Sequence, residues 1–264
     1  MLDTLFDKIY VVWGRDPMRK EYIKDHFKKC NIENYKFIRS IVPDNLTVKG
    51  KKNRKFRFKK LWMEASAKYD NTRHVSGSPH PISLAEICCS YGHLKAYKTA
   101  IDDNVNTFLV IEDDAIVNEE LCNNALEWKE YIPDDWDIIH FHSWRDFEGA
   151  REPNLSKKRK QFNDYFYIGY REHGGTVCYA LTIETAKHLL WKYYPIILPS
   201  DGITASLSNN IFARKFYNAY VFRPFLCDNT IFESQIDNEK QISKKYMTRP
   251  QRYKRDNYQS GYFK

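Results

Sequence analysis

The sequence predicts a single α/β domain in which helices flank a Rossmann-type mixed sheet. Three observations predict it. The chain opens on a strand–turn–helix–strand pattern; apolar, β-branched runs then recur between stretches of helical periodicity; and no internal repeat or second domain interrupts the series. At 264 residues, with 42% hydrophobic and 16% aromatic side chains, the chain is long enough for one large core and too apolar to be disordered.

Residues 8–13 form the first strand, built on Ile9, Tyr10, Val11 and Val12. Gly14 and Arg15 break it, Asp16 is placed to cap a helix, and Pro17 takes the first helical position; that helix is expected to reach Lys29. A second strand over residues 35–41 completes a βαβ unit and calls for a parallel pair. Residues 45–80 are polar and basic, and predict a long surface excursion with one short helix near 61–67. Ser83, Leu84, Ala85 and Glu86 have capping-box form, and apolar positions 84, 87, 88, 91 and 94 carry a helix to about Ile101. Phe108, Leu109, Val110 and Ile111 read as a buried strand that ends abruptly in Glu112, Asp113 and Asp114. A helix over 118–131, a strand over 136–141 and a polar insertion to about 170 follow. Next come a strand over 175–181, a helix from the Thr182 cap to about Tyr193, a loop over 195–201 and a late strand over 219–225. The domain is assigned to residues 1–240, and residues 241–264 to a basic, Tyr-rich tail.

Composition narrows the class. No segment approaches the roughly 20 apolar residues that span a bilayer. Asp3 and Asp7 stand where a signal peptide carries lysines, so a cytoplasmic protein is expected. The six cysteines, Cys30, Cys88, Cys89, Cys122, Cys178 and Cys227, form no C-x-x-C pair and lie mostly in apolar segments. That pattern suits reduced, buried thiols rather than a structural zinc site. The net charge of +8 is local: residues 48–61 hold eight Lys or Arg and no acid, and the tail is basic again. Such a field suits phosphate-bearing partners, or is simply a solvated loop and tail. A nucleic-acid-binding module is the competing class, with Phe56 and Phe58 interleaved among the bases, but no ordered nucleic-acid motif accompanies them. Nucleic acid is therefore not the expected partner; an anionic membrane surface, met peripherally at its inner face, or a charged acceptor is preferred.

The acid triplet carries the chemistry. Four buried apolar residues followed by three carboxylates need compensation, since clustered like charges raise one another's pKa. A divalent cation supplies it; a solvated strand end or a helix cap is the other reading. Strand alternation would point Glu112 and Asp114 to one side, where their oxygens suit Mn²⁺ or Mg²⁺. Ligands of open α/β sheets bind beyond the carboxyl ends of the strands, which is where this cluster falls. His140 and His142 share one side of a predicted strand, within reach of a ligand.

The helix beginning Glu86, Ile87 and continuing through Cys89 to His93, followed by the strand ending Glu112-Asp113-Asp114, resembles glycosyltransferase family 25. That family includes bacterial lipopolysaccharide and animal collagen galactosyltransferases, and its pattern is a Glu-Ile-x-Cys-x-x-Ser-His helix about twenty residues before an apolar strand ending Glu-Asp-Asp. Gly92 stands here for the usual serine and Cys88 for the usual glycine. Further blocks agree in order over residues 8–205. Arg15 and Arg19 keep the family's arginine pair, with Val12 and Trp13 in place of Asn-Leu. Trp136 and Asp137 resemble its Trp-Asp strand, Gly175, Thr176 and Tyr179 its Gly-Thr-x-x-Tyr strand, and Pro199 to Asp201 its Pro-x-Asp.

The resemblance implies a GT-A-like fold, a UDP-sugar donor (galactose or glucose), Mn²⁺ bound by Glu112, Asp113 and Asp114, and inversion at the anomeric carbon. Inversion needs a carboxylate base, for which Asp201 is the first expectation and Asp137 the second. Asp201 also reads as a helix N-cap. Arg15 and Arg19 would meet the donor diphosphate, or are surface charges on a first helical turn. Glu86, His93, Gly175 and Thr176 complete the expected donor site. Taken alone, Glu86 reads as part of a capping box, His93 as a satisfied core histidine, and Gly175 as a turn. The expected acceptor is a glycan or glycolipid of the surface-oligosaccharide type; hydroxylysine of a collagen-like protein is the alternative. A bacterial or viral source fits either.

Overall fold

The computed structural model describes residues 2–42, 84–142, 160–169, 175–193, 196, 198–207 and 216–229. The basic stretch 48–61, the short helix near 61–67, Ser83 of the expected capping box, Gly174, most of the polar insertion and the Tyr-rich tail lie outside them.

After a 3₁₀ turn at Leu2–Thr4, β1 (Lys8–Trp13) leads into α1 (Pro17–Lys29) and β2 (Tyr35–Arg39). The sequence places the first two to the residue. The Asp16 side chain accepts a hydrogen bond from the Met18 N–H at 2.9 Å, with Pro17 behind it in the first turn. Helix α2 (Leu84–Asp102) precedes β3 (Thr107–Glu112), and the chain then turns through Asp113 and Asp114 into β4 (Ala115–Val117). The helix expected over 118–131 is two short ones, α3 (Glu119–Asn123) and α4 (Ala125–Lys129). They part at Asn124, a residue type that favours caps over helix interiors. There follow β5 (Ile138–His140), β6 (Phe166–Ile168), β7 (Cys178–Thr182), α5 (Ile183–Tyr193), α6 (Ser200–Ala205), β8 (Ala219–Phe222) and β9 (Cys227–Asn229). The late strand stops short of its expected end, just before Arg223 and Pro224, because proline has no N–H for a ladder.

Seven strands form one mixed sheet in the order β2-β1-β3-β7-β5-β8-β6, with β2, β1 and β3 parallel and β7 antiparallel to β3. Strands β4 and β9 make a separate antiparallel pair. Period-two alternation divides the large sheet's side chains between two cores. Ile9, Val11, Leu109, Ile111, Cys178 and Ala180 face a layer with Phe27 of α1 and Trp128 of α4. Tyr10, Val12, Phe108, Val110, Tyr179 and Leu181 face the other, with Leu94 and Tyr97 of α2 and Leu189 of α5. The expected helix-flanked mixed sheet is therefore the one observed. Among the described residues, no helix is long and apolar enough to cross a membrane.

Candidate active site

The alternation along β3 decides where its terminal acids go. Glu112 follows Phe108 and Val110 in phase, so it leaves the sheet on the α2 side. Asp113 follows Ile111 and leaves on the α1 side. The ladder extends one residue further, since the Asp113 N–H donates to the Val12 carbonyl at 3.0 Å, and then the chain turns. Asp114 therefore does not share the direction of Glu112, as strict alternation would have it; it turns with Asp113 toward α1. Nη1 of Arg19 donates to Asp113 Oδ1 and to Asp114 Oδ2, both at 3.2 Å, and the Gly14 N–H donates to Asp113 Oδ2 at 2.8 Å. Arg19 is itself buried, and its guanidinium is engaged by the acids rather than lying on the surface of a first helical turn.

On the α2 side Glu112 meets a polar cluster. His93 Nε2 lies 3.1 Å from Glu112 Oε1, and the Thr176 hydroxyl donates to the same oxygen at 2.6 Å. The other ring nitrogen, His93 Nδ1, is 2.8 Å from the Tyr179 hydroxyl, which is 2.7 Å from that of Tyr97. The Thr176 hydroxyl also lies 2.8 Å from the Ser200 hydroxyl, which is 3.4 Å from Cys89 Sγ. His93 is thus a buried histidine with both nitrogens occupied, one of them by an acid of the triplet. Glu86, also buried, sits on the same helical face one turn before Cys89.

The charges are unevenly compensated. Burial pushes Glu112 up, but the His93 hydrogen bond and charge, the Thr176 hydroxyl and the charge of His142 outweigh it and hold the carboxyl below its ordinary value. Burial raises Asp113, opposed by the Gly14 N–H and Arg19. Asp114 is raised furthest of the three, to about 7, by burial and then by the Glu112 charge, with Arg19 only partly offsetting them. Asp114 is the carboxylate left short of positive charge.

Among the other expected residues, Gly175 adopts φ 83, in the left-handed region where glycine alone is unstrained, and so delivers Thr176 to Glu112. Arg15 also lies in that region, at φ 79, and its Nε donates to the Ser40 carbonyl at 3.2 Å, which ties it to the end of β2. Asp201 stands in the first turn of α6 beside Ser200, and its charge is among those that raise the half-buried Cys89 thiol, after desolvation and Glu112. It does not cap α6: Pro199 occupies that position, and the Asp201 carboxylate accepts from the neighbouring Gly202 N–H at 2.8 Å.

Asp137 is a correction. It precedes β5, which runs parallel to β3, and its carbonyl accepts from Thr182, the residue paired with Thr107 at the start of β3. It therefore lies at the far edge of the sheet, roughly 16 Å from the Glu112 end at about 3.3 Å per residue. There it accepts from the Asn218 N–H at 2.7 Å and the Thr185 hydroxyl at 3.3 Å, a structural tie between strands and helix. His140 and His142 are both buried; His142 Nδ1 is 3.0 Å from the Cys227 carbonyl, and its part in the site is the charge it lends Glu112.

Tyr97, Tyr179, Ser200 and Cys89 belong to this cluster without having been named as site residues. Cys89, Tyr179 and Ser200 stood only as members of the family's pattern, with the Cys89–His93 spacing of one helical turn as a further signal; Tyr97 carried none.

The acid cluster lies at the carboxyl end of a central strand, where open α/β sheets bind their ligands. The model of glycosyltransferase family 25 (LPS biosynthesis protein) matches residues 6–204. The chain belongs to that family and is a glycosyltransferase. A glycosyltransferase involved in the glycosylation of the major capsid of PBCV-1 is similar at 9% identity and TM-score 0.40, covering 89% of this chain and 97% of that one. The galactosyltransferase LgtC, solved with donor and acceptor sugar analogs, is similar at 13% identity and TM-score 0.38, covering 92% and 98%. A mannose-1-phosphate geranyltransferase from Thermus thermophilus aligns at 12% identity and TM-score 0.28, over 50% of this chain and only 48% of its own length. No curated protein matches by sequence.

Proposed function

We propose that this protein is an inverting, metal-dependent hexosyltransferase that moves galactose or glucose from a UDP-sugar to a glycan or glycolipid acceptor of the lipopolysaccharide type. The observation that carries the reading is the divided acid triplet at the carboxyl end of β3, with Asp114 short of countercharge. Carboxylate oxygens are the donors that hard cations take; Glu112 and Asp114 leave the strand tip on different faces, but the Glu112 charge is felt at Asp114, and a Mn²⁺ or Mg²⁺ ion between them would be held by one oxygen from each. Asp113, already bonded to Gly14 and Arg19, orients the turn instead. When bound, such a cation would offset the charge of the departing diphosphate.

The chain's own groups account for the rest. Arg15, tied to the end of β2 among the strand tips, serves as a cation for the donor phosphates. The left-handed turn at Gly175 keeps backbone without a side chain next to the site, where a sugar needs close approach. Asp201 takes the proton from the acceptor hydroxyl as its oxygen attacks the anomeric carbon from the face opposite the leaving diphosphate. Glu86, His93 and Thr176 position these groups, His93 and Thr176 by fixing Glu112.

The test is release of hexose from UDP-galactose and UDP-glucose by the purified protein, with and without Mn²⁺, alongside the Asp114→Ala variant. Mn²⁺-dependent turnover, lost in a variant that still folds, is expected. Full turnover in that variant, or in the presence of a chelator, removes the metal assignment.

A further inference from the structure

We propose that Cys89, His93 and Glu112 form a second metal site, selective for a borderline-soft cation such as Zn²⁺ and distinct in chemistry from the hard-cation pair of Glu112 and Asp114. The three ligand atoms, one each of sulfur, nitrogen and oxygen, all lie within 4.8 Å of one another. Tetrahedral zinc, with bonds of about 2.0–2.3 Å, needs ligands roughly 3.5 Å apart. His93 Nε2 and Glu112 Oε1, at 3.1 Å, already meet that spacing. Cys89 and His93 stand one turn apart on α2, the spacing that brings two ligands to one helical face. Sulfur with imidazole and a single carboxylate is a donor set for zinc and disfavours Mn²⁺ and Mg²⁺.

The surroundings are those of a metal site rather than of three neighbours by chance. Contacts run in a chain from Cys89 through Ser200, Thr176 and Glu112 to His93, and the ligand atoms at its two ends lie within 4.8 Å of each other. A ligating histidine needs its second nitrogen anchored, and His93 Nδ1 is held by the Tyr179 hydroxyl. The Tyr179 and Tyr97 hydroxyls, 2.7 Å apart, can orient either way. Tyr179 donates to Nδ1 when Nε2–H points at Glu112, and accepts from Nδ1–H when Nε2 holds a metal. Binding displaces the proton of the Cys89 thiol as the metal–sulfur bond forms, and any proton on His93 Nε2 leaves with it, while the Glu112 carboxylate binds without losing one.

A cation held there draws Glu112 away from Asp114. Zinc is therefore an inhibitor of transfer, competing for a shared carboxylate; this consequence rests on the proposed role of Glu112 and Asp114, whereas the binding does not.

The experiment titrates the chelator-treated full chain with Co²⁺, a spectroscopic substitute for zinc. One equivalent should produce a thiolate-to-cobalt charge-transfer band in the near ultraviolet and the intense visible bands of a tetrahedral ion, with release of at least the thiol proton, and Zn²⁺ should erase both sets of bands. Cys89→Ser should lose the charge-transfer band, His93→Gln should bind at least tenfold more weakly, and Asp114→Asn should bind as the parent does. Circular dichroism confirms that each variant is folded; if His93→Gln is not, Cys89→Ser and Asp114→Asn decide. Absence of the band in the parent, or its survival in Cys89→Ser, overturns the site. In parallel, Zn²⁺ should suppress Mn²⁺-supported hexose release in the parent at tenfold lower concentration than in Cys89→Ser. A protein with no hexose release at all would defeat the proposed function while leaving the cobalt result to be read by itself.

Discussion

Replacing Asp114 by asparagine should disable the enzyme and stabilise its fold, and the size of the gain follows from the site. Burial and the Glu112 charge lift the Asp114 carboxyl from 3.8 to about 7. At about 1.4 kcal/mol per pH unit, that is a penalty of ~4 kcal/mol on the ionised form. The side chain is 26% exposed, so partial screening by water brings the expected figure to about 2–4 kcal/mol. The sign is fixed by linkage. An acid whose folded pKa stands above its unfolded value binds its proton more tightly when folded, so the metal-free protein is most stable below the unfolded value. It loses that stability as pH rises from 3.8 to about 7. Asparagine does not titrate. It keeps a carbonyl for Arg19 but loses the ion pair, a cost that leaves the pH dependence untouched because Asp113 still holds the guanidinium. Urea unfolding of parent and variant, with a chelator present, should show a small difference at pH 4 and an advantage of about 2–4 kcal/mol for Asp114→Asn at pH 8. Adding Mn²⁺ at pH 8 should stabilise the parent and narrow the gap. A difference that does not change between pH 4 and pH 8 would refute the claim that Asp114 is left short of countercharge.

Asp201→Asn should lower kcat on a UDP-hexose and acceptor by at least a hundredfold with donor affinity unchanged, since a base acts only once the acceptor attacks; equal losses in both would assign Asp201 to binding. Asp137→Asn should leave donor affinity intact and lower stability by roughly 1–3 kcal/mol in a urea titration, because its carboxylate serves the Asn218 N–H and the Thr185 hydroxyl at the far edge of the sheet. Gly92→Ala should cost roughly 1–3 kcal/mol, because its new Cβ would stand 2.6 Å from Val12 Cγ1, and a double-mutant cycle with Val12→Ala should return most of that loss.

The parts of the fold that could be read from the residues were those specified locally. Strand β1 and helix α1 were bounded by Asp16 and Pro17, a cap and a first-turn residue that act within four positions of themselves. The acid triplet was visible because three carboxylates after four buried apolar residues is a local contradiction. What the triplet does was not visible, since it depends on where the pleat ends. Side chains alternate only while the ladder lasts, and this one stops at Asp113, so Asp114 turns toward Arg19 instead of following Glu112. Asp137 could have been set aside from topology: in a parallel arrangement the residue before a strand lies at the opposite end from the residue after one. His93 was expected in the donor site from the resemblance and, taken alone, as a satisfied core histidine; it is buried with both nitrogens engaged. The pairing that gives it significance joins residues of α2 and β3; the Tyr179 hydroxyl at its other nitrogen comes from the adjoining strand, and the Tyr97 hydroxyl that meets Tyr179 comes from the next turn of its own helix.

Two departures from the family's pattern meet in space. The usual asparagine after the first strand is Val12 here, and the usual serine before the histidine of the second helix is Gly92. Val12 extends from β1 onto the α2 side of the sheet, and its Cγ1 occupies the place a side chain at position 92 would take. Valine in a strand has little freedom to rotate away. The serine cannot be restored without trimming the valine, so the two positions are one packing unit. That unit sits between the turn carrying Gly14, which holds Asp113, and the helical turn carrying His93, which holds Glu112. Enlarging position 92 should therefore press on Val12 and, through β1, on the turn whose Gly14 N–H holds Asp113, and trimming Val12 should relieve that pressure.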